Sequence, residues 1–156
     1  MWHHAEPRIR EYASIELFQD RSRRELRTLA HLGTRLDAPT GRTLARQGSR
    51  RREFVLLIEG AADVVRDGYV VARLGPGDYC GEFPVLRSVP QPATVVTTAP
   101  SIIDVFEARE FLSACKAMPA FRAVIERTLD RRTATWLTTP TVPAVVSTGD
   151  RIATSR

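Results

Sequence analysis

Residues 77–95, reading Gly-Asp-Tyr-Cys-Gly-Glu-Phe-Pro-Val-Leu-Arg-Ser-Val-Pro-Gln-Pro-Ala-Thr-Val, gather the groups of this chain best placed for chemistry. Two carboxylates, Asp78 and Glu82, stand beside glycines, and Glu82 lies where the dipole of a following helix would stabilise an acid. Covalent chemistry finds little to work with elsewhere. No Ser-His-Asp or Cys-His arrangement is visible, and Cys80 lacks an activating base. Cys80 and Cys115 stand 35 positions apart without Cys-x-x-Cys spacing, so both read as small buried hydrophobes, not as a disulfide or metal framework. All three histidines, His3, His4 and His31, precede the strand-rich part of the chain, which leaves no imidazole for a metal inside a barrel. Reversible binding remains, and the expectation is a non-enzyme with no cofactor and no metal.

The elements that must position this segment are legible from spacing. Ser22-Arg23-Arg24-Glu25 has the form of a capping box, and Leu26, Leu29 and Ala30 follow on one face of a short helix. Gly33 is expected to end that helix in a left-handed conformation. From about residue 35 to 107 the texture changes to short apolar runs broken by Gly, Pro and Asp, which predicts many short strands. Phe54-Val55-Leu56-Leu57-Ile58 is the strongest, with Gly60 ending it, and Asp67-Gly68 suits the positive φ angles of a tight hairpin. So many short strands need closure to hide their edges, so the fold class is mainly β with flanking helices, an antiparallel β-roll of jelly-roll type. After Phe106 the period becomes helical again, first over 109–116 and then over 119–137, with Pro119 in the first turn. Phe121, Val124, Ile125 and Leu129 make one apolar stripe on the second helix, a surface for a homodimer or partner protein unless it lies back on the roll. Residues 1–13 carry no periodic pattern and read as a loose N-terminus, 14–137 as one domain, and 138–156 as a disordered tail rich in Pro, Ser and Thr.

At 156 residues, 43% hydrophobic and 26% charged, the chain can bury a core without disulfides. It has neither an apolar run long enough to span a membrane nor a signal-like N-terminus, which predicts a cytoplasmic protein with no membrane partner. The net charge of +5 could suggest nucleic acid, yet Lys116 is the only lysine among 23 basic residues. An arginine skew of that kind reads as coding bias, not as a selected nucleic-acid surface.

The order helix, β-roll, helix resembles the cyclic nucleotide-binding domain shared by catabolite-activator-type regulators, protein kinase A regulatory subunits and cyclic nucleotide-gated channels, over about 15–137. Leu44-Ala45-Arg46-Gln47-Gly48 resembles the family's Leu-x-x-x-Gly segment, and Ile58-Glu59-Gly60 its glycine turn between strands. The most specific part is Gly77-Asp78-Tyr79-Cys80-Gly81-Glu82, then Val85-Leu86, then Ala93-Thr94-Val95, which is similar to the family's phosphate-binding cassette. The resemblance implies cyclic AMP or cyclic GMP as ligand. It places Gly81, Glu82 and Phe83 at a short helix start facing the phosphate, with Glu82 accepting from the ribose 2′-hydroxyl, and Ala93 beyond. It also places Thr133, Trp136 and Leu137 on a lid helix, where Trp136 could stack on the base.

Two positions depart from that pattern. Gln91 stands where the family has its phosphate arginine, and a neutral amide can donate a hydrogen bond but cannot neutralise an anion. Pro92 follows where the family offers a backbone N–H, and proline has none. Losing a charge-assisted hydrogen bond of about 1.5–3 kcal/mol together with that N–H should weaken binding about a hundredfold or more, towards the millimolar range. Arg87 is the nearest substitute cation, with Arg46 and Arg73 behind it. The expected function is therefore a stand-alone regulatory module with weak or lost cyclic AMP binding. The alternatives are a working sensor that uses another arginine such as Arg87, and a nucleotide-independent dimerisation or interaction module. A cupin-type enzyme is disfavoured by the histidine positions. Direct DNA binding is not expected, because an appended helix-turn-helix needs roughly 60 residues and 17 follow Thr139.

Overall fold

The computed structural model describes residues 5–136 and 142–143. Two antiparallel sheets face one another. One has strand order β1-β8-β3-β6, the other β2-β7-β4-β5-β9. The strands are β1 Thr34–Ala38, β2 Thr43–Ala45, β3 Glu53–Glu59, β4 Ala62–Arg66, β5 Tyr69–Leu74, β6 Tyr79–Cys80, β7 Thr94–Thr97, β8 Ser101–Glu107 and β9 Val142–Pro143. Helices α1 Ala5–Ala13, α2 Arg23–Leu32, α4 Ala108–Ala117 and α5 Pro119–Trp136 flank the roll, and α3 Glu82–Arg87 is inserted between β6 and β7.

β3 shows why its sequence is apolar without a break. Val55 and Leu57 point between the two sheets, into a core shared with Val64, Val71, Val95 and Ile103. Phe54, Leu56 and Ile58 point the other way, into a second core built with the helices. Both faces of the strand are buried, so alternation disappears. The outer core is aromatic: Phe54 stacks on Phe111 with centroids 4.0 Å apart, and Phe121 packs on Phe18 at 5.7 Å. The Asp67-Gly68 turn adopts positive φ at both residues, as its chemistry predicts. The capping box at Ser22 is present in both directions.

Three expectations change. Residues 5–13 are not loose: they form α1, with Ile9 and Tyr12 buried in the aromatic core. An arginine at position 35 and an aspartate on β8 hold α1 there. Asp104, fully buried, accepts from Tyr12 Oη at 2.6 Å and from Arg35 Nε and Nη2 at 2.9 and 3.0 Å, and Arg35 also reaches Glu11. Gly33 is extended, not left-handed; glycine is needed because a Cβ would sit 2.9 Å from the Phe106 ring. The apolar stripe of α5 lies back on the roll, with Phe121, Ile125 and Leu129 all buried in the chain's own core, so it is not free for a second copy. The expected tail over 138–156 lies outside the described residues except for β9, which pairs with β5.

Candidate functional site

The segment singled out by sequence is built as a turn, a two-residue strand and one short helix. Hydrogen bonds from Leu57 N to Asp78 O and from Gly77 N to Leu57 O extend the β3–β6 ladder, fixing where the chain emerges at Gly81. Gly81 has φ +95, and a Cβ there would lie 1.9 Å from Glu53 O, so only glycine fits. Arg52 then anchors the far end of α3, donating to Pro84 O at 3.0 Å and Val85 O at 2.9 Å.

Glu82 opens α3 and is completely buried. Its Oε2 accepts from Arg132 Nη1 of α5 at 2.5 Å, and the same guanidinium lies 4.6 Å over the Tyr79 ring. Oε1 is buried without a hydrogen-bond partner among the described residues. Burial pushes the Glu82 carboxyl above the usual carboxylate range, and the Arg132 charge pulls it back. Burial likewise pushes the neighbouring Cys80 thiol up to about 12, which makes it inert as a nucleophile.

The other sequence candidates separate. Phe83 and Ala93 are buried in the core between the sheets. Gln91 is 8% exposed, and its backbone is clamped to the loop before β3, N to Ser49 O and O from Gly48 N, each at 2.9 Å. Pro92 is half-buried beside it. Arg87 does not lie free in the loop: its guanidinium pairs with Glu126 of α5 at 2.8 Å. Arg73 pairs with Asp63 on the exposed β4–β5 surface. Thr133 is exposed and spends its hydroxyl on Leu129 O of its own helix. Trp136 ends α5, and its side chain lies outside what is described.

Arg132 was missed by sequence reasoning. It lies one residue before Thr133, on the helix named as a lid, and carries the only type of charge that could meet Glu82 from that side. Its signal was diluted by a chain in which 22 residues are arginine.

A cavity of about 310 Å3, with Gln91 in its lining, opens among residues of β1, β2, β3 and β8. Arg42, Arg46 and Arg51 line it together with Leu36, Leu44, Val55, Ile103 and Val105. Arg46, one of the substitute cations considered from sequence, thus faces this cavity. Glu82, Phe83 and Arg132 are not part of its lining.

Among known families, the model described as "Cyclic nucleotide-binding domain" matches residues 35–118. Acetyltransferase Pat of Mycolicibacterium smegmatis is 32% identical over 149 residues, which is 93% of this chain and 44% of that protein. The cAMP-dependent protein kinase regulatory subunit of Yarrowia lipolytica is 33% identical over 64 residues, 41% of this chain and 17% of that one. The chain spans less than half the length of the curated relatives it matches. Of solved structures, the regulatory subunit of a cAMP-independent protein kinase A from Trypanosoma brucei superimposes with TM-score 0.78 at 22% identity, over 87% of this chain and 49% of that one. The catabolite activator protein of Thermus thermophilus does so with TM-score 0.69 at 21% identity, over 76% and 58%. These structural likenesses show the shared roll.

Proposed function

The chain belongs to the cyclic nucleotide-binding domain family, and on that premise we propose that it is a regulatory module whose cassette takes a cyclic nucleotide weakly or not at all. The observation that carries this reading is the Glu82–Arg132 ion pair. The carboxylate expected to meet a ribose hydroxyl is already enclosed, and what engages it is the guanidinium of α5. On this reading a nucleotide would reach Glu82 only if α5 gave way. At the phosphate end, Gln91 supplies no charge and Pro92 no N–H, while Arg87 would have to leave Glu126 to serve as substitute. The signal passed to a partner would be the position of α5, which touches α3, α4 and β5.

Calorimetric titration with cyclic AMP and cyclic GMP tests this. The natural chain is expected to bind near-millimolar or not at all, and the Gln91→Arg, Pro92→Ala double variant about a hundredfold more tightly. Micromolar affinity in the natural chain with no gain in the variant overturns the reading.

One observation favours a second reading, a competent sensor. Glu82 Oε1 has no partner, so it could accept a ribose hydroxyl while Arg132 stays on Oε2 and lends its charge to the phosphate. Arg132→Ala separates the two: it lowers nucleotide affinity more than tenfold under the second reading and leaves it unchanged or higher under the first.

A further inference from the structure

The cavity beside Gln91 has the character of a ligand site in its own right, and we propose that it takes a small amphipathic anion, an aliphatic chain ending in a carboxylate. One part of its wall is aliphatic and comes from four strands, with Leu36 from β1, Leu44 from β2, Val55 from β3, and Ile103 and Val105 from β8, while Thr43, Ser49 and Gln91 make the rest polar. Among the described residues no aromatic side chain lines it, so a nucleobase would find none of them to stack on. The lining carries three guanidinium groups against one carboxylate, Glu53, which Arg51 already engages with Nε at 3.0 Å and Nη2 at 3.1 Å. That excess of positive charge selects an anionic headgroup. All three arginines are exposed residues, whereas Val55 and Ile103 of the aliphatic wall are buried.

Leu36 supports the same occupant. It is 40% exposed, one of only three large hydrophobic residues so exposed among the described residues. Here the exposure is not scattered over the surface but falls on the wall of a cavity, where a ligand's chain would cover it. The volume of about 310 Å3 is at the small end of the roughly 300–1,000 Å3 found for ligand pockets, which fits a short chain better than a bulky one. One edge of the cavity is preformed, because the two hydrogen bonds between Gln91 and the 48–49 loop hold it in place. The cavity would bind its anion whether or not a nucleotide fills the cassette.

The test is titration calorimetry of the whole chain with sodium octanoate at low ionic strength, beside inorganic phosphate and cyclic AMP. Octanoate is expected to bind at one site, with phosphate giving no measurable heat. Arg42→Glu is expected to weaken octanoate at least tenfold, and Val105→Trp, which fills the cavity, to abolish it. Far-UV circular dichroism should match the parent in both variants. If Val105→Trp does not fold, Arg42→Glu, on an exposed residue, decides alone. Absence of octanoate binding at millimolar concentration overturns the proposal. So does octanoate binding that Arg42→Glu leaves untouched, and so does cyclic AMP displacing octanoate and losing its own binding in Val105→Trp, which would make this the nucleotide site.

Discussion

Arg132→Ala should lower the unfolding free energy by about 3–5 kcal/mol at neutral pH, because it strands a carboxylate that has no exposure of its own. Denaturant unfolding measures it. Part of the loss comes from Tyr79, whose ring gives up the guanidinium above it. The effect also carries a pH signature that simple loss of packing would not. Burial raises the Glu82 carboxyl in the folded state, and Arg132 is the charge that opposes the rise. Without Arg132 the folded-state value climbs further. A carboxyl with a raised folded value is best tolerated when protonated, so its favourable contribution is present below the unfolded value of about 4.3 and lost as pH rises through the folded one. The deficit of Arg132→Ala should therefore be smallest near pH 4 and grow towards neutrality. Adding Glu82→Gln to the same chain should recover most of it, since removing both charges leaves nothing stranded. A deficit that does not change with pH, or that Glu82→Gln deepens, would contradict the buried ion pair.

Arg35→Met should destabilise by a similar amount, about 3–5 kcal/mol, or a fall in melting temperature on the order of 10 °C. Asp104 sits on the helix-facing side of β8 among aromatic rings, and Arg35 supplies two of its three hydrogen bonds. Methionine preserves most of the stem's packing, so the change isolates the charge. Tyr12 cannot compensate, because burial and the adjacent Asp104 push its hydroxyl far above the ordinary tyrosine range, and it stays a neutral donor. Tyr12→Phe should cost less, about 1–3 kcal/mol, since Asp104 keeps its cation. Equal losses from the two variants would mean that α1 docking, not charge burial, sets the scale.

Legibility from sequence followed range. The capping box, the hairpin at Asp67-Gly68 and the apolar stripe of α5 depend on residues within a turn or two of one another, and each formed as its spacing predicts. The short helix starting at Gly81-Glu82 was equally legible, since the stretch that builds it is continuous. What stayed hidden were pairings between distant residues. Arg132 meets Glu82 across 50 positions, Arg35 meets Asp104 across 69, and Arg52 meets α3 across more than 30. In each case one partner is an arginine, and nothing local separates these arginines from the many on the surface. The first helix was missed for a related reason. Among its described residues only Ile9 and Tyr12 are buried, too few to make a periodic stripe, and an ion-pair network drawn from two other elements holds it in place. Gly33 taught the converse: its position was right for a helix end, but its reason is a ring from β8.

α5 is fastened at three depths, with Phe121 and Ile125 in the aromatic layer, Leu129 between the sheets and Arg132 in the cassette. A rod held at three points does not drift. It stays seated or releases as a unit, so the chain should populate discrete arrangements and no continuum between them. Any molecule that needs the released arrangement then has its apparent affinity scaled down by how rarely that arrangement is visited, quite apart from the contacts it makes once inside.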